Sequence, residues 1–223
     1  MEVRLLLSLC AESHPDSDSE ERNNAIRRAS VVLLVSHFES YLKMLAEEFV
    51  DALDSGALQS RSIPVGIREL HTLPRMAEIL ECNQPQQRGV LLKKIPSMAQ
   101  LWNDSAKPPC GTLSASILSR EVTNADSQTI DNLFALMGDP RAVCDGDIDV
   151  PSAEEDSPTP VNIRFGLKDV VKCRNDIAHG DISRKPTEDD VERYARFLST
   201  LANRMQRKSE ALISSIVPPD EGK

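Results

Sequence analysis

Residues 20–54 contain neither Gly nor Pro. A stretch of that length without a chain breaker predicts one long helix. Its apolar residues recur at helical spacing, at Ile26, Leu34, Phe38, Tyr41, Leu42, Leu45, Phe49 and Leu53, so one face must be covered by other parts of the chain. Gly56 is the expected stop. Only 4% of the 223 residues are aromatic, so Leu, Val, Ile and Ala must supply the packing around that face. The expected fold is therefore all-α, organised on a long N-terminal helix.

The remaining segments divide unevenly. The first residues, MEVRLLLSLCAES, have a short apolar run and an acid at position 2, which fits an amphipathic helix better than a signal peptide. Residues 12–21 read as a polar loop. Across 57–143, prolines at 64, 74, 85, 96, 108, 109 and 140 cut the chain into short pieces, read as a helical insertion. Helices are expected near 65–82 and 86–103. A better-defined one is expected near 127–137, with Asp126 or Ser127 as cap and Gly138 as stop. Residues 112–123 fit helix or strand. Residues 144–160 form an acidic, Pro-rich loop, and 217–223 a disordered tail. Asp145, Asp147 and Asp149 mimic the first ligands of a calcium loop, but Val150 stands where Gly is needed and Asp156 replaces the closing Glu, so a solvated loop is expected. The final helix, 188–215, carries Val191, Tyr194, Phe197, Leu198, Leu201, Met205, Leu212 and Ile216 on one face, with Thr187 and Asp190 resembling a capping box.

Charge and cysteine usage narrow the functional classes. A net charge of −9 excludes a protein that coats nucleic acid with its whole surface, so any such contact must be local. Five widely spaced cysteines, with no CxxC, indicate neither a disulfide framework nor a zinc cage, and point to a reducing cytoplasm. No segment reads as a membrane span, so no membrane partner is expected. Gly-rich phosphate loops, HExxH and GxSxG are all missing, and no metal or cofactor is expected.

The chemistry concentrates in residues 163–179, a helix with Asn162 as N-cap and Gly180 just past its end. At about 100° per residue, Ile163, Leu167, Val170, Val171, Ile177 and Ala178 share one arc. Arg174 lies in the middle of it. A guanidinium stays charged, so that position requires a carboxylate or phosphate partner. Glu39, at the edge of the long helix's apolar face, is the candidate acid. Arg164, Lys168, Lys172, Asn175 and His179 form a second, polar and basic stripe. His179 occupies the last turn, where the helix dipole favours imidazolium, and an imidazole there suits proton transfer beside a phosphate. Residues 161–185 carry six basic and three acidic side chains, Arg184 and Lys185 among the former, a local basic groove on an acidic chain. No aromatic platform for bases is evident beside it. His37 lies on another side of its helix, and His14 and His71 read as loop or surface residues.

The string Arg174–Asn175–Asp176–Ile177–Ala178–His179 resembles the R-x4-6-H signature of the HEPN superfamily, including its polar residue after Arg. Residues 31–49, VVLLVSHFESYLKMLAEEF, look like the long N-terminal helix of bacterial RiboL-PSP-like HEPN proteins. With the last helix, these pieces cover roughly half of the chain. The resemblance implies a single HEPN-type domain over 1–223, a helical bundle that forms a homodimer with a shared cleft and cleaves RNA without a metal. The 2′-hydroxyl would attack phosphorus and leave a 2′,3′-cyclic phosphate. His179 would then move a proton, Arg174 would stabilise phosphorane charge and Asn175 would orient His179 or a phosphate oxygen. Arg164, Lys168, Lys172, Arg184 and Lys185 would contact RNA. Arg174 and His179 point about 140° apart on one helix, which favours two facing copies. Many relatives are toxins or phage-defence effectors, which implies an antitoxin or sensor partner. The acidic 145–156 segment is expected to cover the basic groove in an inactive state. The competing readings are a non-catalytic HEPN module that binds a nucleotide or protein, and an unrelated helical adaptor whose acidic segments bind basic partners.

Overall fold

A computed structural model describes residues 2–11, 17–151 and 157–217. The fold is all-α apart from one two-stranded ribbon. In chain order the elements are α1 (Glu2–Ala11), α2 (Ser17–Leu53), a 3₁₀ turn (Ser60–Ser62), α3 (Val65–Glu81), α4 (Pro85–Leu92), α5 (Ile95–Gln100), α6 (Ala115–Ser119), α7 (Ser127–Leu136), β1 (Asp147–Val150), β2 (Thr159–Asn162), α8 (Ile163–Ala178) and α9 (Glu188–Ile216). Residues 12–16 of the expected first loop, 152–156 of the acidic segment and 218–223 of the expected tail lie outside the described residues.

The chain divides into two compact units, and both α2 and α9 contribute to each. The first unit comprises Met1–Tyr41, Asn124–Gln128 and Cys144–Met205. Here α2 buries Val31, Val35 and Phe38, while Ile26, Leu34 and Tyr41 are only partly covered. The inward stripe is therefore offset from the expected one in its first half, where VVLL offers apolar residues on every side and the sequence alone cannot choose. Tyr41 donates its hydroxyl to the Ala202 carbonyl of α9 at 2.8 Å. Gly166 lets α8 approach α9, since a methyl there would lie 2.5 Å from Phe197 Cζ. The ends of the segment expected as an acidic loop are strands: β1 and β2 pair antiparallel, from Asp147 opposite Asn162 to Val150 opposite Thr159. Ile148 and Val150 alternate inward with exposed Asp147 and Asp149, a period-2 pattern hidden by the acidic composition.

The second unit comprises Leu42–Thr123, Thr129–Val143 and Gln206–Lys223. Its buried side chains include Leu42, Leu45, Phe49, Ile67, Leu101, Leu118, Ile130, Leu133, Phe134 and Met137. α3 continues through Pro74, whereas the helix expected at 86–103 is two short ones, interrupted at Lys93–Lys94 with Pro96 in the first turn of α5. Residues 112–123 contain α6. His71 is fully buried, not at the surface. Its Nδ1–H donates to the Ile67 carbonyl at 2.8 Å and its Nε2 accepts from the Ser114 N–H at 2.8 Å. An imidazole so bonded satisfies both ring nitrogens internally, which removes the reason to face water.

By length and composition, the Ser19–Leu53 part of α2 meets the requirement for a membrane span, contrary to the sequence expectation. Its apolar positions are nonetheless those that fill the two cores, at Val31, Val35, Leu42, Leu45, Phe49 and Leu53. None of the five cysteines, all among the described residues, forms a disulfide.

Candidate active site

α8 begins where the sequence predicts. The Asn162 side chain accepts the Phe165 N–H at 3.2 Å, and the Ile163 N–H reaches back to the Gly146 carbonyl at 3.1 Å, fixing the helix start to the strand ribbon. Its end is equally defined. Gly180, at φ +84°, donates to Ile177 O at 3.1 Å, and Asp181 N donates to Asp176 O at 2.9 Å. These two bonds satisfy orphan carbonyls through a left-handed glycine. His179 is thereby the C-cap, with φ −82° and ψ 5°, and its own N–H donates to Asn175 O. Its side chain is exposed and makes no hydrogen bond among the described residues.

α8 buries Ile163, Leu167, Val170, Val171 and Cys173. The apolar arc expected to continue through Ile177 and Ala178 does not. Ile177 is half-covered, Ala178 is exposed, and Ile182 just beyond is 83% exposed. Arg174 marks the change. Its Nη2 donates to Glu39 Oε1 on α2, and its Nη1 donates to Asn175 Oδ1 at 3.0 Å. The two charged side chains are 24% and 23% exposed, so the guanidinium is paired yet within reach of solvent. The structure thus joins Glu39, Arg174 and Asn175. It does not bring His179 to them within one chain.

The basic residues separate into committed and available ones. Arg164 pairs with Asp145 at 2.7 Å, and Lys172 with Asp176 at 2.9 Å. Arg184 was expected to face RNA but is turned inward. It donates from Nε to Cys173 Sγ at 3.2 Å and from Nη2 to the Tyr194 hydroxyl at 3.5 Å, with Asp169 at 3.8 Å. The Cys173 sulfur, then nearby Tyr194 and Asp169, hold that guanidinium more firmly in its charged form, against the opposing effect of burial. Burial pushes the Tyr194 phenol well above its ordinary value, with Cys173 and Asp169 adding to the effect. Lys168 and Lys185 are exposed and unpaired among the described residues.

Two residues escaped the sequence reading. Arg28 of α2 donates from Nη1 to the Asp181 carbonyl at 2.5 Å and to the Arg184 carbonyl at 2.7 Å. It holds the loop that follows His179, and nothing in its local sequence signals this, because the contact spans more than 150 residues. Phe165 is the other. It is 71% exposed on α8, where the sequence reading singled out no aromatic residue.

The three aspartates that mimic a calcium loop do not converge. Asp145 turns to Arg164 and Asp147 accepts from Asn162 Nδ2 at 3.1 Å, while Asp156 lies outside the described residues. Among the described residues no three His, Cys, Asp or Glu side chains are grouped to hold a metal ion.

A family model described as RiboL-PSP-HEPN matches residues 2–211. No curated protein and no solved structure matches the chain.

Proposed function

The chain belongs to the RiboL-PSP-HEPN family, and we propose that it is a metal-independent endoribonuclease working as a symmetric homodimer. The observation that carries this reading is an exposed, unbonded His179 imidazole at the C-cap of the helix that also bears Arg174, whose part-buried guanidinium is bound to Glu39 of α2 and to Asn175. The neutral imidazole of His179 takes the proton of a ribose 2′-hydroxyl. The 2′ oxygen bonds to the adjacent phosphorus, the bond from phosphorus to the 5′ oxygen breaks, and that oxygen takes a proton from water. A 2′,3′-cyclic phosphate and a 5′-hydroxyl remain. Arg174, with Glu39 and Asn175 each taking one of its N–H groups, offers its remaining N–H groups to the extra charge on the phosphorane oxygens. Glu39 acts through Arg174 as a positioning residue, and Asn175 fixes the other arm of the guanidinium.

Dimerisation is supported by the apolar residues that α8 leaves uncovered at its end, Ile177, Ala178 and Ile182. They surround His179 in sequence, where a facing copy would both cover them and supply the missing Arg174. Lys168 and Lys185 are the proposed phosphate contacts, joined by Lys172 when a phosphate displaces Asp176. We place the protein in the cytoplasm, in keeping with five cysteines that form no disulfide, as a toxin or defence effector restrained by a protein partner.

The test is incubation of labelled RNA with the purified protein in EDTA, alongside His179→Ala and Arg174→Ala. Cleavage with cyclic-phosphate ends, lost in both variants, is the expected result. Intact RNA under every condition overturns it. That outcome would favour the second reading, a non-catalytic HEPN module, for which the Arg174–Glu39 pair also argues, since a neutralised guanidinium is less available to phosphate.

A further inference from the structure

The exposed side of α8 carries more than the proposed catalytic groups. Phe165, Lys168, Lys172 and His179 lie within about 60° of one another around the helix. Phe165 stands about 21 Å from His179 along the axis, with the two lysines between them. Phe165 is the most exposed aromatic side chain among the described residues, at 71%, and it opens a helix whose other apolar residues at the start, Ile163 and Leu167, are buried. The carboxylates flanking the stripe are occupied. Asp169 is shared between Arg193 and Arg184, and Asp176 is bound to Lys172. A strand of phosphates laid along α8 would therefore meet the unpaired Lys168 ammonium, and at Lys172 an ammonium that must exchange Asp176 for a phosphate.

We propose that this stripe is a subsite for unpaired RNA, in which Phe165 stacks on a base a few nucleotides from the scissile phosphate. The inference rests on the ribonuclease reading and specifies its substrate as a single strand running along α8. Three features select that class. An exposed ring stacks on any base, but only on one that is unpaired. Lys168 is an unpaired point charge suited to tracking a backbone without reading sequence, and Lys172, 66% exposed in its pair with Asp176, is placed to exchange that carboxylate for a phosphate. The stripe ends at His179, so a strand held along it delivers a phosphodiester to the imidazole. Phe165 also belongs to a rigid position: its own N–H is tied to Asn162, so the ring is presented by a fixed helix start and not by a loop.

Base stacking of this kind changes affinity roughly 5- to 150-fold per base. The experiment uses the full chain, with His179→Ala for binding and intact His179 for cleavage. Fluorescent single-stranded oligonucleotides are compared with a series in which one abasic nucleotide is walked along the strand. Phe165→Ala is expected to weaken binding and raise KM about tenfold, with little change in kcat, whereas Phe165→Tyr retains both. One abasic position should weaken the parent protein by a similar factor and have no effect on Phe165→Ala. Equal affinity of parent and Phe165→Ala, or losses that simply add at every abasic position, overturns the subsite while leaving cleavage intact. RNA that is neither bound nor cut by the parent overturns both readings. A Phe165→Ala chain that changes oligomeric state in sedimentation, with RNA affinity unaltered, makes the ring a protein contact and also overturns the subsite.

Discussion

Arg28 is the residue whose loss most directly tests how His179 is held. Its Nη1 bridges two backbone carbonyls, Asp181 and Arg184, at 2.5 and 2.7 Å. A hydrogen bond from a charged donor contributes about 1.5–3 kcal/mol, but exposed carbonyls regain water when the donor leaves. The net cost of Arg28→Met is therefore roughly 2–3 kcal/mol, equivalent in a chain of this size to a fall in Tm of about 5–10 °C. The loop would not detach entirely, because Asp181 still donates to Asp176 O and Arg184 stays bound to Cys173 and Tyr194. His179 would keep its helix but lose the brace behind it. With His179 as the proposed general base, a displacement of about 1 Å lowers kcat about tenfold or more. The assay is RNA cleavage under single-turnover conditions below the variant's Tm, paired with hydrogen exchange over residues 180–185. Arg28→Lys should fall between, since an ammonium has donors for both carbonyls but a shorter reach than Nη1. Unchanged exchange and unchanged kcat in Arg28→Met would refute the bracing role. A rise in KM alone would make Arg28 an RNA contact.

Two further outcomes follow from packing and titration. Gly166→Ala places a methyl 2.5 Å from the buried Phe197 ring and should cost about 1–3 kcal/mol, read as a lower urea midpoint; Phe197→Leu added to it should recover part of the loss. His71 is held neutral in the fold, burial lowering its pKa below the model-peptide value of 6.5. The unfolded chain then takes up the proton first as pH falls. The stability this contributes is fully present above about pH 6.5 and is lost toward the lower folded pKa, by at most about 1.4 kcal/mol per pH unit. Urea midpoints between pH 7.5 and 5.5 should fall more steeply for the parent than for His71→Gln; parallel slopes would contradict the neutral assignment.

How much was legible in the sequence depends on whether the deciding interaction is local. The ends of α8 were readable because an Asn cap and a left-handed Gly act within a few residues, and both make the expected bonds. The Thr187–Asp190 box at the start of α9 was readable for the same reason, with Thr187 N donating to Asp190 at 3.0 Å and Asp190 N to Thr187 at 3.1 Å. The Glu39–Arg174 pair, 135 residues apart, was still inferable, since a charge on an apolar arc demands a carboxylate on the facing helix. Arg28 and Arg184 carried no such signal. Each is one basic residue among several, and only the fold decides that one grips a loop and the other turns to Cys173 instead of solvent. His71 failed because burial of an imidazole depends on a carbonyl and an N–H that distant chain happens to supply.

The separation of Arg174 from His179 within one chain leads to the sharpest test of the dimer. Arg174 faces α2 through Glu39, while His179 caps the opposite side of the same helix, about 140° away. If each reaction centre draws its guanidinium from one chain and its imidazole from the other, two defective chains can complement. An Arg174→Ala chain still supplies His179, and a His179→Ala chain still supplies Arg174. Random mixing makes half of the dimers mixed, and each of these holds one complete centre and one that lacks both groups. Activity should then return from near zero to about a quarter of the parent value after denaturation and joint refolding. Assembly of both groups within one chain permits no such recovery, because every centre in every mixed dimer would lack one partner. Mixed dimers that form, as seen by mass, yet cleave no faster than either variant alone would place the whole reaction within one chain and require Arg174 to leave Glu39 for its own His179.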